Sequence, residues 1–182
     1  MPINAVTVYC SSSRRVDRLY FDAAEELGSA IASEGWRLIY GGNRIGPMGA
    51  LADGARAVGG KVTGITPQLL VDKGIADDHC DELLVTQNMR QRKELLEHRG
   101  DAFVALPGGL GTLEEVFEIL VGRRLNVHTK PIVLLNIAGF YQPLLTMIEH
   151  GISQQFIKPA IRPLYFIATD VQGAMNHLRR QV

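Results

Sequence analysis

Three glycines fall within four positions in Pro107-Gly-Gly-Leu-Gly-Thr112, after an apolar run and at the opening of a helical one. Glycine lets the backbone turn sharply and leaves room for a ligand to touch the main chain. At a helix start the free N–H groups and the dipole favour an anion, most simply a phosphate. Gly108, Gly109, Leu110 and Gly111 are therefore candidate phosphate-binding residues, and Thr112 adds a hydroxyl donor. The plain alternative is a tight strand–helix turn with no ligand. Two better-known glycine motifs do not fit. A P-loop would need a lysine where Gly41-x4-Gly46 is followed by Pro47 and Met48. A dinucleotide fingerprint begun at Gly109-x-Gly111 meets Glu114 at its third glycine, and it lies after a late strand rather than the first.

Glu115 and Arg92 are the next candidates. Thr112-x-x-Glu115 has the spacing of a capping box, in which the carboxylate only satisfies the N-cap amide. Around Arg92, the residues three and four positions away are Asn88, Met89, Leu95 and Leu96. Arg90–Glu94 and Lys93–Glu97, by contrast, have the i,i+4 spacing of a solvated face. Arg92 thus points to the apolar side, where an unpaired guanidinium is costly. An anion or a carboxylate from another segment must meet it. Lys93 reads equally as a surface residue or a ligand. The five histidines (79, 98, 128, 150, 177) share no spacing, and no His/Cys/carboxylate cluster has metal-ligand spacing, so no metal is expected.

Alternating elements must position these residues. Short β-rich runs occur at Ala5–Cys10, Arg37–Tyr40, Lys61–Thr66, Glu82–Thr86, Ala102–Leu106, Ile132–Asn136 and Tyr165–Ala168. Between them, helical periodicity predicts helices over Asp17–Glu34, from Pro47 to Val58, and over Asn88–Arg99, Leu113–Arg124, Tyr141–His150 and Asp170–Arg180. Such alternation, with near-continuous apolar strands, predicts an α/β fold. It is a single doubly wound, Rossmann-like parallel sheet with helices on both faces, one domain over residues 1–182. Ligands of such sheets sit at the carboxyl ends of strands where the order reverses. The loops Cys10–Arg15 and Gly41–Gly49 join Pro107–Thr112 there, adding Ser12, Gly41 and Gly42 as binding candidates.

Composition narrows the function classes. Nineteen basic and nineteen acidic residues give zero formal charge, without the footprint of a nucleic-acid binder. Apolar residues make up 46% of the 182 and charged residues 21%, which is ordinary globular usage. Cys10 and Cys80 form neither a disulfide framework nor a zinc site, so reduced thiols in a cytoplasm are expected. No secretory signal opens the chain, and its longest apolar runs are too short to cross a bilayer.

Pro107-Gly-Gly-Leu-Gly-Thr-Leu-Glu-Glu115 reproduces the PGGxGTxxE signature of the LONELY GUY family, the cytokinin riboside 5′-monophosphate phosphoribohydrolases. Met89-Arg-Gln-Arg-Lys93 resembles that family's M-x-x-R-K element. Tyr40-Gly-Gly and Gly46-Pro-Met-Gly49 resemble its YGGG…GLMG loop. The resemblance runs from the first strand to about Ile157. It implies hydrolysis of the N-glycosidic bond of a purine or cytokinin nucleoside 5′-monophosphate, giving free base and ribose 5-phosphate. It assigns catalysis to Arg92 and Glu115, gives Met89 and Lys93 binding roles, and implies no cofactor. It also implies a homodimer or larger homo-oligomer, for which Val116–Leu120 would serve as core or interface alike. Many family members carry a "lysine decarboxylase" label, yet no pyridoxal-phosphate apparatus surrounds any lysine here. A second reading is a nucleotide or molybdenum-cofactor carrier of the same fold, which would need the glycine loop but no water-activating carboxylate.

This chain departs from the family pattern on the base side. Asn43 replaces the third glycine of YGGG, Pro47 the leucine of GLMG, and Arg90 a histidine. Gly74 stands, in ungapped alignment, where many members have a substrate-contacting glutamate, and Val121 where a threonine contacts substrate. The phosphate site and the catalytic pair are retained.

Overall fold

The structure, a computed structural model, describes residues 2–181. Seven strands, β1 (Ala5–Tyr9), β2 (Arg37–Tyr40), β3 (Val62–Pro67), β4 (Glu82–Thr86), β5 (Ala102–Ala105), β6 (Ile132–Leu135) and β7 (Phe166–Ala168), form one sheet. All adjacent pairs are parallel, in the order β4-β3-β2-β1-β5-β6-β7. The helices are α1 (Arg18–Ser33), α2 (Gly46–Ala57), α3 (Gln68–Asp72), α4 (Met89–Arg99), α5 (Leu110–Arg124), α6 (Gln142–Ser153) and α7 (Val171–Arg179).

Strand alternation sorts the core onto two faces. Val6, Val8, Leu38, Tyr40, Val104 and Val133 pack with Leu27 and Ile31 of α1, Leu51 of α2 and Leu178 of α7. Tyr9, Ile39, Phe103, Ala105 and Leu134 pack on the other side with Leu96 of α4 and Val116, Ile119 and Leu120 of α5. Both faces are covered, so the strands are apolar on both sides, as the near-continuous runs predicted. The α1–α2 pair is drawn into backbone contact: a Cβ on Gly28 would stand 1.9 Å from the Leu51 carbonyl oxygen.

The chain starts at the sheet centre, steps outward through β2 to β4, and returns to the other side of β1 at β5. Strand order therefore reverses between β1 and β5. Register sets Val8 beside both Tyr40 and Val104, so the loops after β1, β2 and β5 leave the sheet at one level.

Three differences from the sequence expectation have local causes. Helix α5 begins at Leu110, not Leu113, because the extended Gly109 acts as its N-cap and the Leu113 amide already donates to the Gly109 carbonyl at 3.0 Å. Helix α3 is only five residues long, too short to show a period. Short 3₁₀ turns at Ile137–Gly139 and Pro159–Leu164 likewise lack a repeat to read. Among the described residues no helix is long and apolar enough to cross a membrane.

Candidate active site

A cleft of about 370 Å³ opens where the strand order reverses, a volume typical of small-molecule sites. The β1 loop contributes Cys10, Ser11, Ser12 and Ser13, and the β2 loop Gly41 and Asn43. Helix α4 adds Met89 and Arg92, the N-cap of α5 adds Gly109, and α5 itself adds Gly111, Thr112, Glu114 and Glu115. Met48 and Leu70 complete its apolar wall.

Arg92 and Glu115 meet inside it. Arg92 Nη1 donates to Glu115 Oε1 at 2.7 Å, and the two side chains are only 7% and 10% exposed. Arg92 Nε donates to the Ile65 carbonyl at 3.1 Å. The guanidinium then lies against Gly41, where a Cβ would stand 2.3 Å from Nη2 and 2.9 Å from Met48 Sδ. Gly41 therefore forms a floor that only glycine leaves open. The carboxylate expected to meet Arg92 is thus Glu115, 23 residues away in sequence. Burial pushes the Glu115 carboxyl above its ordinary range, against the lowering influence of Arg92. A buried carboxyl with a perturbed titration, set in a cleft, is a candidate for proton transfer.

This geometry removes the capping-box reading. Gly109 is the N-cap, Thr112 lies inside the first turn, and the Glu115 side chain turns to Arg92. The same start leaves donors free: the amides of Leu110, Gly111 and Thr112 belong to the first turn and have no intrahelical acceptor. Nothing lies within 4 Å of a Cβ built on Gly109 or Gly111, so space is open above them. A Cβ on Gly108 would stand 2.1 Å from the Thr112 hydroxyl oxygen, so this glycine lets Thr112 fold back over the turn. At the root of the loop Tyr141 donates from its hydroxyl to the Leu106 carbonyl at 2.7 Å.

Of the remaining candidates, Ser12, Gly41 and Met89 line the cleft, whereas Gly42, Lys93, Gly108 and Leu110 do not. The i,i+4 partner expected for Lys93 was Glu97, but its Nζ crosses to α5, 2.8 Å from Glu114 and 3.3 Å from Glu118. Bonding to Glu114 raises its pKa. Gly74 lies outside the lining residues with a left-handed φ of 66° at the end of α3, and its carbonyl accepts from Arg44 at 2.7 Å. Arg90 and Val121 are exposed and are not among the residues lining the cleft. Sequence reasoning did not single out Ser11, Ser13 or Leu70 as site residues; the serine run was the available signal for the first two. Among the described residues, Asp77, Asp78 and His79 bring possible ligand atoms within 4.8 Å of one another. Asp77 is already engaged there by Tyr40 and Arg56.

A protein-family profile described as "Possible lysine decarboxylase" matches residues 48–178. The cytokinin riboside 5′-monophosphate phosphoribohydrolase of Rhodococcoides fascians is 44% identical over 96% of this chain and 89% of its own length. The chain belongs to this phosphoribohydrolase family. Another relative bearing the same name, from Mycobacterium tuberculosis, is 38% identical over 94% of this chain and 91% of its own. Phosphoribohydrolases share their fold with other proteins. The molybdenum cofactor carrier protein of Chlamydomonas reinhardtii superposes with a TM-score of 0.74 at 26% identity, covering 98% of both chains.

Proposed function

We propose that the protein hydrolyses the N-glycosidic bond of a purine or cytokinin nucleoside 5′-monophosphate, releasing free base and ribose 5-phosphate. The observation that carries this reading is the buried Arg92–Glu115 pair set beside an open helix N-terminus in one cleft. The 5′-phosphate rests on the amides of Leu110, Gly111 and Thr112, with the Thr112 and Ser12 hydroxyls as further donors. That anchor brings C1′ to the carboxylate. Positive charge builds on the ribose as the C–N bond breaks, and ionised Glu115 stabilises it. The bonding electron pair leaves with the base, and Glu115 takes a proton from the water whose oxygen bonds C1′. That proton passes through solvent to the departing base, so one water is consumed and the carboxylate is restored. Arg92 holds one carboxylate oxygen through Nη1 and offers Nη2 to a substrate oxygen. Met89 and Asn43 lie on the remaining wall, against the base.

The carrier reading shares the fold but has no use for a buried carboxylate that can activate water. Incubation with a panel of nucleoside monophosphates, including AMP and an N6-prenylated analogue, followed by chromatography for free base, separates the two. Base release is expected. Tight binding with none released from any member would favour the carrier.

Two further expectations belong to this reading. Gly41→Ala would push its methyl into a guanidinium already held by Ile65 and Glu115. Displacement of that kind is expected to lower turnover by about ten- to a hundredfold, at a stability cost of about 1–3 kcal/mol from overpacking. Parallel base-release kinetics and thermal melts check it; turnover within threefold of the parent would remove Arg92's position from the account. The protein is also proposed to be a cytoplasmic homodimer. Both cysteines are free thiols, and α5 exposes Phe117, Val121 and, at its end, Leu125 in a stripe at four-residue spacing. The Val116, Ile119 and Leu120 side chains are spent on the core. Light scattering should give at least twice the 20.0 kDa chain mass, and a concentration-independent monomer would contradict it.

A further inference from the structure

Asp77 lies outside the cleft, yet it is fully buried and bonded to both ends of the turn that floors Arg92. Its Oδ2 accepts from the Tyr40 hydroxyl at 2.6 Å and from Arg56 Nη1 at 2.9 Å. Its Oδ1 accepts from the His79 amide at 3.0 Å, and its own amide donates to the Gly42 carbonyl at 2.9 Å. Tyr40 and Gly42 flank Gly41. The clamp continues outward, since Asn43 bridges Ala76 and the Arg44 amide donates to the Ile75 carbonyl at 3.1 Å. We propose that Asp77 is a positioning residue for the reaction, fixing the Tyr40–Gly42 turn so that Gly41 seats the Arg92 guanidinium against Glu115.

The proposal rests on the hydrolase reading for its consequence, but the geometry stands by itself. A buried carboxylate would normally be raised; here bonds from Tyr40, the His79 amide and Arg56 overcome burial and hold it low. It is therefore an anion at neutral pH and keeps all three donors. Neutralising it weakens the clamp on Tyr40 and the adjoining segment that holds Gly42. The floor under Arg92 then loosens, and the Nη1–Oε1 bond that favours ionised Glu115 weakens with it. Glu115 faces Arg92 and Lys93 from α4, Glu114 beside it on α5, Tyr9 at the end of β1, Cys10 in the loop after it, and Tyr141 at the start of α6. Of these the Arg92 guanidinium is the group in contact with the Tyr40–Gly42 turn.

The test is the titration of the Glu115 carboxyl by ¹³C NMR in protein labelled at glutamate, with the resonance assigned by its absence in Glu115→Gln. In Asp77→Asn the Glu115 midpoint should rise by about half a unit or more. The acid limb of kcat/KM should move with it, while KM changes less than about threefold. Tyr40→Phe keeps the buried ring and removes only the hydroxyl; it should shift Glu115 the same way by about 0.3 unit or more. A folded Asp77→Asn with Glu115 within about 0.2 unit of the parent would overturn the proposal, even if its melting temperature had fallen. Should Asp77→Asn fail to fold, an unshifted Glu115 in Tyr40→Phe overturns it instead. Because the titration needs no turnover, a parent that released no base would reject the hydrolase reading alone, and the Glu115 shift would still judge Asp77.

Discussion

Removing the 5′-phosphate from the substrate should lower kcat/KM by about a thousandfold or more. Charge-assisted hydrogen bonds contribute about 1.5–3 kcal/mol each, and the first turn of α5 presents the amides of Leu110, Gly111 and Thr112 with no intrahelical acceptor. Losing all three costs roughly 4.5 kcal/mol or more, which is three orders of magnitude or above. The effect belongs in kcat/KM because the anchor is remote from the breaking bond and positions the ribose. The comparison is a nucleoside with its own monophosphate, under identical conditions. Comparable rates for the two would remove the phosphate cradle from the account.

Glu115→Gln should lose at least about a hundredfold in turnover while binding nucleoside monophosphate much as the parent does. The neutral amide can neither stabilise a ribosyl cation nor take a proton from water, and loss of one such electrostatic contact costs about 10²–10³. Its oxygen can still accept from Arg92 Nη1, so the guanidinium keeps a partner at the position Oε1 holds 2.7 Å away. Replacing the charge-assisted bond with a neutral one should cost about 1–2 kcal/mol of stability, a fall of a few degrees in melting temperature. The phosphate site is untouched, so affinity should survive. Calorimetric binding, melting and base-release kinetics on one preparation separate the three effects. Turnover within threefold of the parent would leave Glu115 a structural partner of Arg92 only.

The raised Glu115 carboxyl ties this pair to pH in opposite senses. In the proposed mechanism Glu115 acts in its ionised form, so turnover should rise as pH climbs through the elevated midpoint. Stability runs the other way. A carboxyl raised in the fold contributes stability below its unfolded pKa and loses that contribution as pH rises through the folded one.

The sequence displayed the site better than it displayed the supports. The three loops at the reversal point are marked by glycine and serine, whose small size is itself the signal. Arg92 is conspicuous because the residues around it on α4 are apolar or uncharged and offer no acid. The start of α5 was hidden by that same chemistry: Gly109 and Gly111 are poor helix formers, yet the chain winds into a turn there. Lys93 was misread as a partner for Glu97 because i,i+4 spacing sees only its own helix, whereas Glu114 and Glu118 arrive from α5. Asp77 was invisible for a related reason. Its partners Tyr40 and Arg56 lie 37 and 21 residues away, and no periodicity links them.

The most direct measurement is the product balance of the parent protein acting on a nucleoside 5′-monophosphate. Free base, ribose 5-phosphate, nucleoside and inorganic phosphate should be quantified together over a time course, with Glu115→Gln run beside it. Cleavage at C1′ directed by a phosphate anchor predicts base and ribose 5-phosphate in equal amounts, with neither nucleoside nor inorganic phosphate accumulating and the variant nearly silent. Inorganic phosphate and nucleoside appearing in place of the base, or tight binding with no product at all, would contradict it.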